Sequence, residues 1–349
     1  MLVAYLSGHG FGHATRTLEV LRAVRARRPE LPIAVASALP EWLLARAGLE
    51  PVRLRRVECD VGLVQHDALR IDEAATALRC RAFEEGFEAR VAEEAAFLAR
   101  AKARLVLGDV PPLAFAAASR AGVPALALAN FSWDAIYRHL APRQPALMAS
   151  AELAARAYAS AELLLELPFA CEMPAFARRR PVGLVARRPR VPRAEARRRL
   201  GLDGRTSVLL SFGGIGLPGL SPAEFGGEKD LRYLFPGELG EERLARLGLE
   251  YPDVVGAVEV VVTKPGYGIV TDAVGAGTRL LYTDRGDFPE YPVMVREMPR
   301  YLPCLHVTHA EVAQGRLARA VERVLALPWP EAPDLAGAER AAELLLARL

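Results

Sequence analysis

The sequence predicts an α/β protein of two similar domains, each a parallel sheet with helices, facing each other across a cleft. Three observations predict it. The chain has 349 residues, more than one hydrophobic core usually serves. It opens as strand, glycine-rich turn, helix and strand, the unit of a parallel sheet. The second half repeats that logic, with short apolar strands that end in glycine loops.

Residues 2–6 are an apolar strand, followed by the turn Ser7-Gly8-His9-Gly10-Phe11-Gly12-His13. Leu18, Leu21 and Val24 then recur at helical spacing over 15–27. Residues 32–37 are a second strand, 81–103 one long amphipathic helix, and 104–107 a strand ending at Gly108-Asp109. A helix over 113–120 leads to a strand over 124–129 that ends at Asn130. Strand ends carrying polar residues are where open α/β sheets bind ligands. A strand over 163–167 closes the first domain, 1–167. Residues 168–192, rich in Pro and Arg, read as the interdomain connection, and 193–349 as the second domain. There a basic helix (193–200) precedes strands at 207–211, 259–263 and 279–283. Helices are expected through 276, over 310–327 and over 335–349, the last packing back on the first domain. Residues 217–250 show no clear element.

Composition excludes several classes. Hydrophobic residues make up 52% of the chain, enough for two cores, and the formal net charge is +3. That balance argues against nucleic acid as partner. Cys59, Cys80, Cys171 and Cys304 form no CxxC pair, which argues against a zinc site or a disulfide framework. The N-terminus reads as a strand rather than a leader. No apolar run nears the roughly 20 residues of a transmembrane helix. The expected location is the cytoplasm, with peripheral membrane contact and oligomeric state left open. Only Lys102, Lys229 and Lys264 are lysines.

Five segments could carry chemistry. The first turn, with His9, Gly10, Phe11, Gly12 and His13, opens a helix whose free N–H groups suit an anion. A neutral His13 can accept a proton from a sugar hydroxyl; it is as readily a polar turn residue. Asp109, at the end of a buried strand, can orient a histidine or cap the next helix. Asn130, Trp133 and Asp134 mix aromatic and polar groups as a sugar ring needs; equally, Ser132 can be a helix N-cap with Trp133 in the core. In the second half, the loops Gly213-Gly214-Ile215-Gly216 and Lys264-Pro265-Gly266-Tyr267-Gly268 both follow strands. Two backbone cradles and Lys264 suit a diphosphate. Thr271 and Asp272 follow, the latter able to accept ribose hydroxyls. Asp287 and Glu290 can bind hydroxyls of a donor sugar, or belong to a solvated loop.

At these residues the chain resembles glycosyltransferases of the two-Rossmann-domain, or GT-B, type. It looks most like the glycosyltransferase-like N-terminal region of plant L-arabinokinases and their stand-alone bacterial relatives. The resemblance is carried by SGHGFGHATR (7–16), DVGLVQHDALRID (60–72), GDVPPLAFAAASRAGVPALALANFSWDAIY (108–137), LPFACEMPAF (167–176), SFGG (211–214) and KPGYGIVTDAV (264–274). These segments span nearly the whole chain in order. The sugar-kinase domain of the arabinokinases has no counterpart among them, so kinase activity is not implied. By similarity to UDP-dependent glycosyltransferases, His13 is the catalytic base and Asp109 its orienting acid. The run from Gly266 to Asp272 resembles the donor signature, with Asp272 standing where a glutamate usually holds the ribose. The chain has no convincing Asp-x-Asp motif, in keeping with a metal-independent mechanism.

The resemblance thus implies transfer from a UDP-linked nucleotide sugar to a small-molecule or glycan hydroxyl, with inversion and no cofactor beyond the co-substrate. A non-catalytic nucleotide-sugar sensor and a sugar-nucleotide epimerase are the alternatives. The second needs acid/base residues around the donor sugar, and no set stands out.

Overall fold

The computed structural model describes residues 1–9, 11–67, 69–213, 220–225 and 227–349. They form two compact units. The first comprises 1–64, 72–185 and 334–349; the second comprises 65–71 and 186–333.

In the first unit, strands β1 (Leu2–Leu6), β2 (Ile33–Ser37), β3 (Val52–Arg56), β4 (Leu105–Asp109), β5 (Ala125–Ala129), β6 (Leu163–Glu166) and β7 (Arg179–Pro181) make one sheet. Its order is β3-β2-β1-β4-β5-β6-β7, and every pairing is parallel. β1, β2, β4 and β5 are buried throughout, as strands covered on both faces must be, so their sequences are apolar runs. The order reverses between β1 and β4, whose registered ends are Leu6 and Asp109. Ligands of open α/β sheets bind at such a reversal.

The expected helix over 81–103 is two helices, Glu73–Glu85 and Phe87–Arg100, separated by Gly86. Asp72 caps the first by accepting from Ala75 N at 2.9 Å. The segment 168–192 is not a bare connection: it contributes the edge strand β7, and the first unit runs on to Val185. The last helix, Gly337–Leu346, belongs to the first unit and packs on helix Phe11–Arg27.

The second unit holds β8 (Thr206–Ser211), β9 (Leu231–Leu234), β10 (Val260–Thr263), β11 (Arg279–Tyr282) and β12 (Cys304–His306), ordered β12-β11-β10-β8-β9. All pairings are again parallel. Val208, Leu210, Phe212, Val260, Val262 and Leu281 anchor its core. The stretch 217–250 supplies β9 and helix Glu241–Leu247. The expected helix over 310–327 is broken into His309–Ala313 and Ala318–Ala326, with Gly315 at φ 63° between them. Among the described residues no helix is long and apolar enough to cross a membrane.

Candidate functional site

In the first unit, helix Phe11–Arg27 starts at the β1–β4 reversal. His13, Arg16 and Thr17 are three and four positions apart, so they share a helix face. That face meets Asp109. His13 Nδ1 lies 2.9 Å from Asp109 Oδ1. Arg16 Nε donates to Oδ2 at 2.9 Å and Arg16 Nη2 to Oδ1 at 2.5 Å. Thr17 Oγ1 donates to Oδ2 at 2.5 Å. Arg16 Nη1 reaches Asn130 Oδ1 at 2.6 Å. Asp109 and Asn130 are fully buried, and His13 is 8% exposed.

Burial by itself would raise the pKa of Asp109. The Arg16 guanidinium and His13 outweigh it and hold the carboxyl at about 2. An ionised carboxylate only accepts, so the 2.9 Å contact is a bond from His13 Nδ1–H, and in the neutral ring that tautomer puts the lone pair on Nε2. Arg16 Nη2 also stands 3.1 Å from Nδ1, but an Nδ1 that carries its proton toward Asp109 has no lone pair to accept from it, so both nitrogens donate to the carboxylate. Asp109 does not cap the following helix, whose N-cap is Pro111.

A second carboxyl lies beside this pair. Asp60 accepts from Ser7 Oγ at 3.1 Å and from Trp133 Nε1 at 2.8 Å. Ser7 Oγ in turn accepts from His9 N at 3.1 Å. Burial raises the Asp60 carboxyl above its ordinary range despite these bonds and nearby His13. The His9 ring meets Trp133 edge-on at 5.7 Å, and Phe131 meets His13 edge-on at 5.3 Å and Trp133 at 5.0 Å. Gly62, at φ 68°, backs the His9 ring: a Cβ there would overlap it. Tyr137 OH donates to Gly62 O at 3.1 Å. A cavity lies alongside, lined by Asp60, Phe83, Trp133, Tyr137 and Leu153 among others.

Asp134 is buried and accepts from Ser132 Oγ at 2.5 Å. Ser132 holds the N-cap position of helix Trp133–Leu140, but its hydroxyl serves Asp134 rather than the helix backbone. Sequence reasoning missed Arg16, Thr17 and Asp60. Helical spacing from His13 could have found the first two.

In the second unit the sheet order reverses between β8 and β10. Thr263 Oγ1 donates to Ser211 O there, and Ser211 Oγ and Tyr251 OH are 2.6 Å apart. Gly213 follows β8. Helix Tyr267–Ala276 begins after Gly266 with no side-chain cap. Tyr267 is buried, and Thr271 Oγ1 donates to Gly268 O at 3.1 Å within the helix. Asp272, read from the sequence as able to accept ribose hydroxyls, has a protein partner. It is 2% exposed and takes the Arg187 fork, Nε to Oδ1 at 3.0 Å and Nη2 to Oδ2 at 2.5 Å. A guanidinium matches a carboxylate edge to edge, so the pair forms whenever an arginine is in reach.

Lys264 is half-buried just past β10. Burial, with the neighbouring Arg285 cation, lowers its pKa to about 8, while Asp67 acts in the opposite sense. Arg285 Nη1 lies 3.4 Å from Glu290 Oε2, both groups being largely buried. Asp287 is exposed. Gly10, Gly214, Gly216 and the side chain of Phe11 lie outside the described residues.

Two parallel-sheet units of seven and five strands, each flanked by helices, are the GT-B fold of glycosyltransferases. The solved structures that share it include UGT89C1 of Arabidopsis thaliana, with a TM-score of 0.64 and 15% identity, covering 99% of this chain and 98% of that one. A UDP-glucosyltransferase of Polygonum tinctorium matches with a TM-score of 0.60 and 14% identity, covering 99% and 98%. By sequence, the chain is similar to the L-arabinokinase of Arabidopsis thaliana, 31% identical over 361 residues. That match takes in 98% of this chain and 34% of the arabinokinase, so the chain spans about one third of the relative's length. No family model matches the chain.

Proposed function

We propose that the protein is a glycosyltransferase that moves a sugar from a UDP-linked nucleotide sugar to a hydroxyl acceptor. The observation that carries this reading is the buried His13–Asp109 pair at the sheet reversal of a GT-B fold. UGT89C1 has been solved with UDP, with UDP-L-rhamnose and with quercetin, which supports a UDP-sugar and a hydroxylated acceptor here.

The roles divide between the units. The first binds the acceptor near His9, Asn130 and Trp133. His13 Nε2 takes the proton of the acceptor hydroxyl as its oxygen bonds to the sugar's anomeric carbon. Asp109 keeps the proton on Nδ1 and stabilises the imidazolium that forms. The second unit binds the nucleotide sugar through the Gly213 loop, Lys264 and the start of helix Tyr267–Ala276. As the anomeric bond breaks, the leaving UDP keeps the electron pair, and Lys264 and the backbone N–H groups stabilise its charge. Direct displacement inverts the anomeric centre. No metal and no resident cofactor enters the scheme.

One observation favours a second reading, a nucleotide-sugar sensor without turnover. Arg16 already neutralises Asp109, which leaves less negative charge to stabilise a protonated His13. The experiment is a thermal-shift screen of nucleotide sugars without added metal. A ligand at a hundred times its dissociation constant adds roughly 2.7 kcal/mol of stability. No shift with any nucleotide or nucleotide sugar would rule out both readings. Binding followed by acceptor-dependent release of UDP selects the transferase.

A further inference from the structure

The loop after β11 contains buried donors that the scheme above does not use. Thr283 Oγ1 and Arg285 Nε find no hydrogen-bond partner among the described residues. Thr283 is fully buried, and the Arg285 side chain is 15% exposed. An unpaired buried polar group is costly, and a charged one more so, which is why native structures rarely keep one without a purpose.

The surroundings sharpen the point. Thr283 N donates to Thr263 O at 3.0 Å, so Thr283 sits beside Lys264 on adjoining strands. Arg285 is close enough to Lys264 for its cation to help lower the pKa of that amine. Glu290 meets Arg285 at Nη1, at the long distance of 3.4 Å, and Phe288 lies under the guanidinium with its ring centre 4.5 Å away. Neither occupies Nε. Asp67, the acid that Lys264 senses, spends its carboxylate on Leu69 N, Arg70 N and Arg70 Nε. The loop itself is held in place: Gly286 stands at φ 61°, and a Cβ there would overlap Leu69 O.

We propose that Arg285, Thr283 and Lys264 form a subsite for an oxyanion of the nucleotide sugar, an assignment that rests on the reading above. Arg285 offers Nε and the adjacent amino group as a fork, and Thr283 and Lys264 add a hydroxyl and an ammonium. A phosphoryl or a carboxylate group has the geometry to use that fork. The anion is then either the diphosphate or the carboxylate of a uronic-acid donor.

Calorimetry on the whole chain distinguishes these, with inorganic pyrophosphate, UDP, UDP-glucose and UDP-glucuronate as probes. Arg285→Gln should weaken binding about tenfold or more, the scale of a lost charge-assisted bond. Arg285→Lys should restore part of it, and the near-isosteric Thr283→Val should lose a few-fold. Equal loss for pyrophosphate, UDP and both UDP-sugars assigns the diphosphate. Loss confined to UDP-glucuronate assigns the carboxylate. If the parent binds UDP or a UDP-sugar and the Arg285→Gln and Thr283→Val variants, with parental melting temperatures, bind all probes equally well, the subsite is wrong while the proposed function stands. If the parent binds pyrophosphate in an Arg285-dependent way but no nucleotide, the subsite stands and the proposed function falls.

Discussion

At the end of β4, Asp109 accepts from His13, from two nitrogens of Arg16 and from Thr17. At the end of β11, Thr283 and Arg285 keep buried donors with no partner among the described residues. The cluster at the end of β4 thus satisfies its carboxylate internally, and the loop after β11 leaves a guanidinium Nε and a hydroxyl without a partner among the described residues. A site whose carboxylate is already satisfied is built to hold one side chain, His13, in one tautomer. In the subsite proposed above, the donors in reserve take up a negatively charged group. Under the function proposed above, the first unit does proton chemistry and the second binds a nucleotide, and the experiments that follow test that division.

The largest expected effect tests that division directly. His13→Ala should lower turnover about 100- to 10,000-fold, the usual worth of a positioned base, and leave the donor dissociation constant nearly unchanged. A fall in donor affinity instead would move His13 from chemistry to binding and blur the contrast. Next comes Arg16→Met, which strands the buried Asp109 charge. Breaking a buried pair from one side costs about 3–5 kcal/mol, readable in denaturant unfolding. The double variant Arg16→Met with Asp109→Asn should recover much of it; no recovery would mean that Arg16 acts through packing alone.

Acid behaviour sharpens the same point. The folded-state pKa of Asp109 is depressed to about 2. Its contribution is therefore complete above its unfolded value, about pH 4, and is lost as pH falls toward 2. Asp60, raised by burial, has the opposite sign and weakens stability as pH rises through its range. Asp109→Asn should flatten the stability profile between about pH 4 and pH 2; a profile as steep as the parent's would show that other groups govern it.

The second unit should respond at the other end of the scale. Lys264 loses its proton near pH 8 in the free protein, under the joint action of burial, Arg285 and Asp67, with Arg70 and Glu290 paired to the latter two. A bound anion raises that value. Affinity for pyrophosphate or UDP should therefore hold up to about pH 8 and decline above it, and Lys264→Ala should abolish the decline. The smallest effect is expected from Gly62→Ala, which pushes the His9 ring off its backing and places a Cβ at φ 68°; it should slow turnover a few-fold and lower the melting temperature modestly.

How much of this was legible in the sequence depends on where a residue's partners lie. β1, β2, β4 and β5 read clearly because both faces are covered, so their sequences are unbroken apolar runs. β3 (VRLRR) and β7 (RRP) are edge strands, and their arginines hide the pattern. β9 sits in a stretch dense in Gly, Pro and charge, and β12 is three residues long. His13 and Asp109 could be singled out because each stands at a strand end or helix start. Asp60 could not, since its bond to Trp133 spans 73 positions. The pairing of Asp272 could not be read either, since its partner Arg187 lies 85 positions earlier in a segment with no pattern.

The indole of Trp133 gives the site an optical voice. It donates to Asp60, stacks on Tyr137 with ring centres 5.8 Å apart, and lies within 6.5 Å of the His9 and His13 rings. The other two tryptophans, Trp42 and Trp329, are 38% and 43% exposed, and each lies against an arginine. Replacing both with phenylalanine leaves one buried fluorophore whose emission answers to whatever displaces its neighbours. Under the proposed function, arrival of an acceptor should then be readable in real time without a label, and separable from arrival of the donor.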